Sequence, residues 1–192
     1  MEPVKVFLDN SAANRIAELD EEIATISGKS DTSDQTYKED RVYLNKIISF
    51  EGKGIVRLYY HPWGLHEGEK TKNEQKRKAI LKEYQKRYQT EYHSTTYPIL
   101  MSDETPATFV TEEQSRVIDD ILNGLPKKFE KDLKMLSDAL FNPKIKFQYI
   151  LTCDREHLAT AELQDKLKTK GFNLKICTPK QLFTELSSKH IS

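Results

Sequence analysis

The sequence predicts an α/β protein, a three-layer α/β/α sandwich in which helices cover both faces of a central, mostly parallel sheet of four or five strands. Three observations predict it. Four short runs rich in β-branched and aromatic residues, Val4–Leu8, Ile55–Tyr60, Phe147–Cys153 and Phe172–Cys177, read as buried strands. The segments between them carry apolar residues at helical spacing. Their alternation implies parallel strands joined by right-handed crossovers, which place helices on both faces.

In chain order, Ile16, Leu19, Ile23 and Ile26 form the first apolar stripe, and Tyr43, Ile47 and Phe50, flanked by Leu44 and Ile48, form the second. Ser27–Gln35 is rich in Ser, Asp, Thr and Gly and reads as a mobile loop. Lys70–Arg87 reads as a charged helix with Ile80, Tyr84 and Tyr88 as its packing seam. Glu91–Thr108 is polar, broken by Pro98 and Pro106, and has no period. Thr111 with Gln114 makes a capping box ahead of Val117, Ile118, Ile121 and Leu122, and Gly124 ends that helix. Pro126 suits a first helical position, followed by the stripe Phe129, Leu133, Leu136 and Leu140. Leu158, Ala161, Leu163 and Leu167 suggest a helix stopped at Gly171, and Thr178-Pro179 opens a last helix carrying Leu182, Phe183 and Leu186.

Composition narrows the class. A chain of 192 residues suits one domain and can bury a full core without metals or disulfides. Its two cysteines, Cys153 and Cys177, lie in apolar runs outside any C-x-x-C pair, which argues against zinc and for reduced, buried thiols. No apolar run approaches the roughly 20 residues of a membrane span, and the Met-Glu-Pro start lacks signal-peptide features; a cytoplasmic protein with no membrane partner is expected. Lys plus Arg and Asp plus Glu both number 30, so no global basic excess announces nucleic acid. The charges are uneven, however. Lys70, Lys72, Lys76, Arg77, Lys78, Lys82, Lys86 and Arg87 fall in one stretch opposed only by Glu74 and Glu83. The bland reading is a solvated helix face, and the functional one an RNA-backbone contact through Lys76, Arg77, Lys78 and Lys82.

Ligands of open parallel sheets collect beyond the carboxyl ends of the strands. Asp9 follows the first run directly, Asp154 follows the third, Glu67 comes soon after the second at the start of a helix, and Asp132 lies on the edge of the Phe129/Leu136 stripe. Converging carboxylates repel one another unless a cation neutralises them. Oxygen ligands without His or Cys suit Mg²⁺ or Mn²⁺, which would support in-line hydrolysis of a phosphodiester. A lone Asp after a strand is more often an N-cap or turn residue. Asp138 and the Asp119-Asp120 pair are competing acids, the former on the wrong side of its helix and the latter facing solvent. His61, His66, His93, His157 and His190 show no ligand spacing, though His66 and His157 fall beside proposed site acids, where a supporting or surface role is expected. None of the seven glycines forms a phosphate-binding fingerprint.

The order and surroundings of these acids resemble the PIN-domain family. The carrying segments are Val6-Phe7-Leu8-Asp9-Asn10-Ser11, Tyr60-His61-Pro62-Trp63-Gly64-Leu65-His66-Glu67, Asp132-Leu133-Lys134-Met135-Leu136-Ser137-Asp138-Ala139, Tyr149-Ile150-Leu151-Thr152-Cys153-Asp154, and Ile176-Cys177-Thr178-Pro179. The resemblance spans nearly the whole chain, with its specific part in the C-terminal third. It implies a metal-dependent endoribonuclease whose Asp9, Glu67, Asp132 and Asp154 bind Mg²⁺ or Mn²⁺, with Ser11 and Thr152 as hydroxyls for water or phosphate. It also implies a single domain with insertions near 21–54 and 70–110, RNA as substrate, a protein inhibitor or antitoxin among partners, and a homodimer among allowed assemblies. The alternative is a PIN-like module without metal, serving RNA binding or protein interaction.

Overall fold

Strand β1 (Val4–Leu8) lies between two parallel partners, β2 (Val56–Tyr60) and β3 (Tyr149–Leu151), and β3 pairs in parallel with β4 (Lys175–Cys177), giving the order β2-β1-β3-β4. The computed structural model describes residues 2–19, 34–60, 71–91, 111–123, 132–142 and 145–190. Within them the helices are α1 (Asn10–Ala17), α2 (Gln35–Gly52), α3 (Glu74–Glu91), α4 (Glu112–Leu122), α5 (Asp132–Phe141), α6 (Ala161–Thr169) and α7 (Pro179–His190). The chain is thus α/β with a four-stranded, all-parallel sheet, as the alternation predicts. None of the described helices is long and apolar enough to cross a membrane.

The strand order reverses direction at β1, and right-handed crossovers must then change face. The side chains show the change. Val6, Leu8, Leu58, Tyr149, Leu151 and Cys177 pack with Ala12, Ile16, Leu44, Ile47, Ile80, Leu182 and Leu186, so α1, α2, α3 and α7 cover one face. Phe7, Tyr59, Ile150 and Ile176 pack with Ile118, Ile121, Leu136, Leu163 and Leu167, so α4, α5 and α6 cover the other. The parity follows from the register, which sets Val6 beside Leu58 and Tyr149, and Phe7 beside Tyr59 and Ile150.

Three strands, β2, β3 and β4, begin later than their apolar runs suggest, and for β2 and β4 a helix closure is the reason. At the end of α2, the Gly54 N–H donates to Glu51 O and the Ile55 N–H to Phe50 O; at the end of α6, the Gly171 N–H donates to Lys168 O and the Phe172 N–H to Leu167 O. Both are Schellman closures with glycine in the left-handed region, φ 71° at Gly54 and 81° at Gly171. Ile55 and Phe172 therefore give their N–H groups to the helix, and the strands start at Val56 and Lys175. β3 is confined to the three residues that face Val6–Leu8, and Cys153 falls in the turn beyond it.

Other boundaries also differ. α1 ends at Ala17 and buries Ala12, Ala13, Ile16 and Ala17, so Leu19 lies in a turn and not on a continuing stripe. Ile23 and Ile26 are outside the described residues, as are Gly124, Pro126, Phe129 and most of the Glu91–Thr108 segment. Gln35 opens α2 instead of ending a loop, because Asp34 caps it through the Thr36 N–H. Leu158 is buried in the turn before α6, whose cap is Thr160. The Thr111/Gln114 capping box opens α4 with both reciprocal bonds. A second such pair, Thr178 with Gln181, opens α7. The far end of α7 is tied to the amino end of the sheet. There burial pushes the Glu185 carboxyl up, but hydrogen bonds from Lys175, Tyr149 and Lys189 outweigh it and hold the group down at about 2.

The α2 closure makes two neighbouring glycines opposite in sign. Gly52→Ala, in the last helical position with open space around it, should stabilise by about 0.5 kcal/mol through lost unfolded-state freedom. Gly54→Ala, two residues on at positive φ, should destabilise by about 1 kcal/mol. Urea denaturation of the two variants measures both, and equal signs would contradict the Schellman assignment.

Candidate functional site

The carboxyl ends of β1 and β3 flank the point where the strand order reverses, the crevice in which doubly wound sheets hold ligands. Asp9 and Asp154 stand on its two sides. Asp9 caps α1, is 4% exposed, and continues the ladder by one bond from its N–H to Leu151 O at 3.0 Å. Its Oδ2 accepts from the Ser11 N–H at 3.1 Å, from the Thr152 hydroxyl at 2.8 Å, and from the Ser11 hydroxyl at very short range.

Each of those hydroxyls also accepts a backbone N–H from the loop after β3. Cys153 N donates to Ser11 Oγ at 2.9 Å, and Asp154 N donates to Thr152 Oγ1 at 3.0 Å. A hydroxyl has one proton to give. With both protons directed at an ionised Asp9, the 3.1 Å approach of Ser11 Oγ to Thr152 Oγ1 is two donors converging on one oxygen. The β3 loop is thereby laced to the β1 carboxylate through two hydroxyl relays. Burial pushes the Asp9 carboxyl up from its ordinary value, while the Ser11 and Thr152 hydrogen bonds pull it back part of the way.

Asp154 is 32% exposed and turned to its own loop. Its Oδ1 accepts from the Glu156 N–H at 3.1 Å and the His157 N–H at 2.8 Å, and His157 Nδ1 lies 3.0 Å from Oδ2. It combines the turn-residue role with a place at the strand end. Of the other predicted site acids, Glu67 lies outside the described residues, and Asp132 is the first residue of α5 with its side chain outside them. Among the described residues no three His, Cys, Asp or Glu side chains stand together as a metal-binding group. The competing pair Asp119-Asp120 is exposed, with Asp120 held by Lys170 at 2.7 Å.

The basic helix is not uniformly solvated. Lys76 reaches Glu18, which is 2% exposed, at 2.6 Å, with Arg15 at 3.7 Å from the same carboxylate. Lys76 is thus a packing cation rather than a free RNA contact, because it supplies the close positive charge opposite a buried carboxylate. Arg77 is half-buried, and Lys78 and Lys82 are exposed, Lys78 pairing with Glu74 at 2.8 Å. Tyr84 and Tyr88 have side chains outside the described residues, whereas Ile80 enters the core.

Sequence reading missed a second polar assembly beside the crevice. Asp40 on α2 is 1% exposed and receives the Arg155 guanidinium in a two-pronged bond, Nη2 to Oδ1 at 2.7 Å and Nη1 to Oδ2 at 3.0 Å. The guanidinium of Arg15 lies over the Tyr37 ring, 4.1 Å from its centroid. The signal was available: Asp40 occupies an apolar stripe position with Tyr37, Leu44 and Ile47, and a charge there needs a partner. Cys153 and Cys177 are free thiols; burial pushes the first well up and the second to about 12, so both stay protonated and unreactive.

No family model, curated protein or solved structure matches the chain. The chemistry of the site therefore rests on its own residues.

Two expected outcomes follow from these buried acids. Because the folded Asp9 carboxyl sits above its unfolded value near ~4, its contribution is full below that pH and is lost as pH rises through the folded value. Asp9→Asn lacks this titration, so its stability relative to the parent should climb as pH rises from the unfolded value of ~4 through the raised folded value; urea unfolding in EDTA reads the gap, and a gap independent of pH would refute it. Lys76→Met should cost about 3 kcal/mol by removing the close positive charge from the buried Glu18 carboxylate. Lys78→Met, which breaks only a solvent-screened pair, should cost far less, and similar losses in thermal unfolding would contradict the assignment.

Proposed function

We propose that the β1/β3 crevice binds Mg²⁺ or Mn²⁺ and that the protein is a cytoplasmic, PIN-like ribonuclease hydrolysing RNA phosphodiesters. The observation that carries this reading is Asp9. Among the described residues its hydrogen-bond partners are all neutral, two hydroxyls and the backbone N–H groups of Asn10 and Ser11, and its burial opposes its charge. A buried carboxylate in that condition, at a ligand-binding crevice and with a second carboxylate across it, suits a hard cation. The donor chemistry therefore fits the group that the family resemblance implies.

In this reading Asp9 and Asp154 hold the ion, and Glu67 and Asp132 complete the set. When bound, the ion supplies Lewis acidity toward phosphate and water. Ser11 and Thr152 keep Asp9 oriented, both directing their protons at its carboxylate. Arg77, Lys78 and Lys82 on α3 offer charge to the RNA backbone, with Lys76 reserved for Glu18. One observation favours the second reading, a PIN-like RNA-binding or protein-interaction module without metal: Asp154 has both oxygens engaged within its own turn.

The test is cleavage of a mixed RNA pool with Mn²⁺, read by sequencing the new ends, together with the melting temperature with and without Mn²⁺. The parent should cut and be stabilised by the ion, and Asp154→Asn should fold yet fall to the metal-free background. A parent that neither cuts nor responds to Mn²⁺ ends the enzyme reading, and RNA binding without cleavage transfers it to the module.

A further inference from the structure

We propose that Arg155 is a positioning residue: its fork on Asp40 clamps the loop after β3 to α2 and sets the placement of Asp154. The role in catalysis rests on the ribonuclease reading, whereas the ordering of the loop does not.

The geometry isolates Asp154 between two anchored neighbours. On one side, Cys153 gives its N–H to Ser11 Oγ at 2.9 Å, and its thiol lies beside Asp40 and Arg15. On the other, Arg155 spans to Asp40, 115 residues away in the chain, by two charge-assisted bonds of 2.7 and 3.0 Å. The same Nη1 lies 3.4 Å from Cys153 O, which folds the side chain back across Asp154. Asp154 itself is held through its N–H on Thr152 Oγ1. The clamp joins the crevice to α2, an element that supplies none of the proposed ion ligands.

Arg155 is 32% exposed at the rim of the site, so direct contact with an RNA phosphate is the competing role. The carboxylate partner decides against it. Asp40 is buried, takes both prongs of the fork, and offsets the positive charge a phosphate would seek. A lysine keeps the charge and loses the fork, which makes Arg155→Lys the informative variant. Because one broken partner leaves the other charge buried, Asp40→Asn/Arg155→Gln is the companion that removes both charges at once.

Hydrogen exchange over residues 152–158 reads the clamp in the intact protein whether or not it cuts RNA. Both variants should exchange there at least about 10-fold faster while residues 4–8 stay as protected as in the parent. Unchanged exchange in folded variants overturns the clamp. In Mn²⁺-dependent cleavage well below the melting temperature, kcat should fall roughly 10- to 100-fold with KM and salt dependence unchanged. A raised KM with a flatter salt dependence makes Arg155 a substrate contact and overturns the positioning role, as does full activity in variants whose loop has loosened. A parent without cleavage or Mn²⁺ stabilisation overturns the ribonuclease reading and the catalytic part of this inference, while the exchange result still decides the clamp.

Discussion

Everything in this fold depends on β1 being hydrogen-bonded on both edges and covered on both faces. A five-residue strand in that position leaves the hydrogen-bonding chain only at its ends. Its parallel neighbours require crossovers, and the reversal of order at β1 requires them on opposite faces, which separates the two cores. The residue that follows β1 must then emerge where the crossovers diverge. Asp9 is buried because of where β1 lies, and it caps α1 because the first crossover starts there.

Among the described residues three carboxylates are almost fully buried, and each is compensated differently. Asp9 has hydroxyl and amide donors, Glu18 has Lys76 with a more distant Arg15, and Asp40 has the Arg155 fork. Transferring a lone charge into such surroundings costs several kcal/mol even after relaxation, so ion pairing for Glu18 and Asp40 mainly cancels a penalty. Asp9 receives dipoles and no full positive charge among the described residues. The asymmetry distinguishes it from the two carboxylates that hold helices together, and it places the unmet electrostatic demand at the mouth of the crevice.

The polar groups also divide the loop after β3 into anchored and responsive parts. Cys153 and Arg155 face inward toward α1 and α2, while Asp154 and His157 interact at the partly exposed rim. A carboxylate needed at a strand end can be carried on a loop only if the loop is fixed by contacts elsewhere. Here Ser11 on α1 and Asp40 on α2 supply them, and Thr152 at the start of the loop adds a local bond.

Much of this was legible from the sequence. The four apolar runs locate the strands because strands buried on both faces leave no alternation to read, and Thr111 with Gln114 and Gly171 mark helix ends through local hydrogen bonding. Strand-end placement of Asp9 and Asp154 is equally local, since each follows its strand within a few residues. The strand order, the assignment of each helix to one face or the other, and the partnerships Glu18–Lys76 and Asp40–Arg155 were decided only by the tertiary structure. They join residues 58 and 115 positions apart. Sequence spacing carries no trace of such pairings, because which charge meets which is fixed by the packing of the elements that carry them.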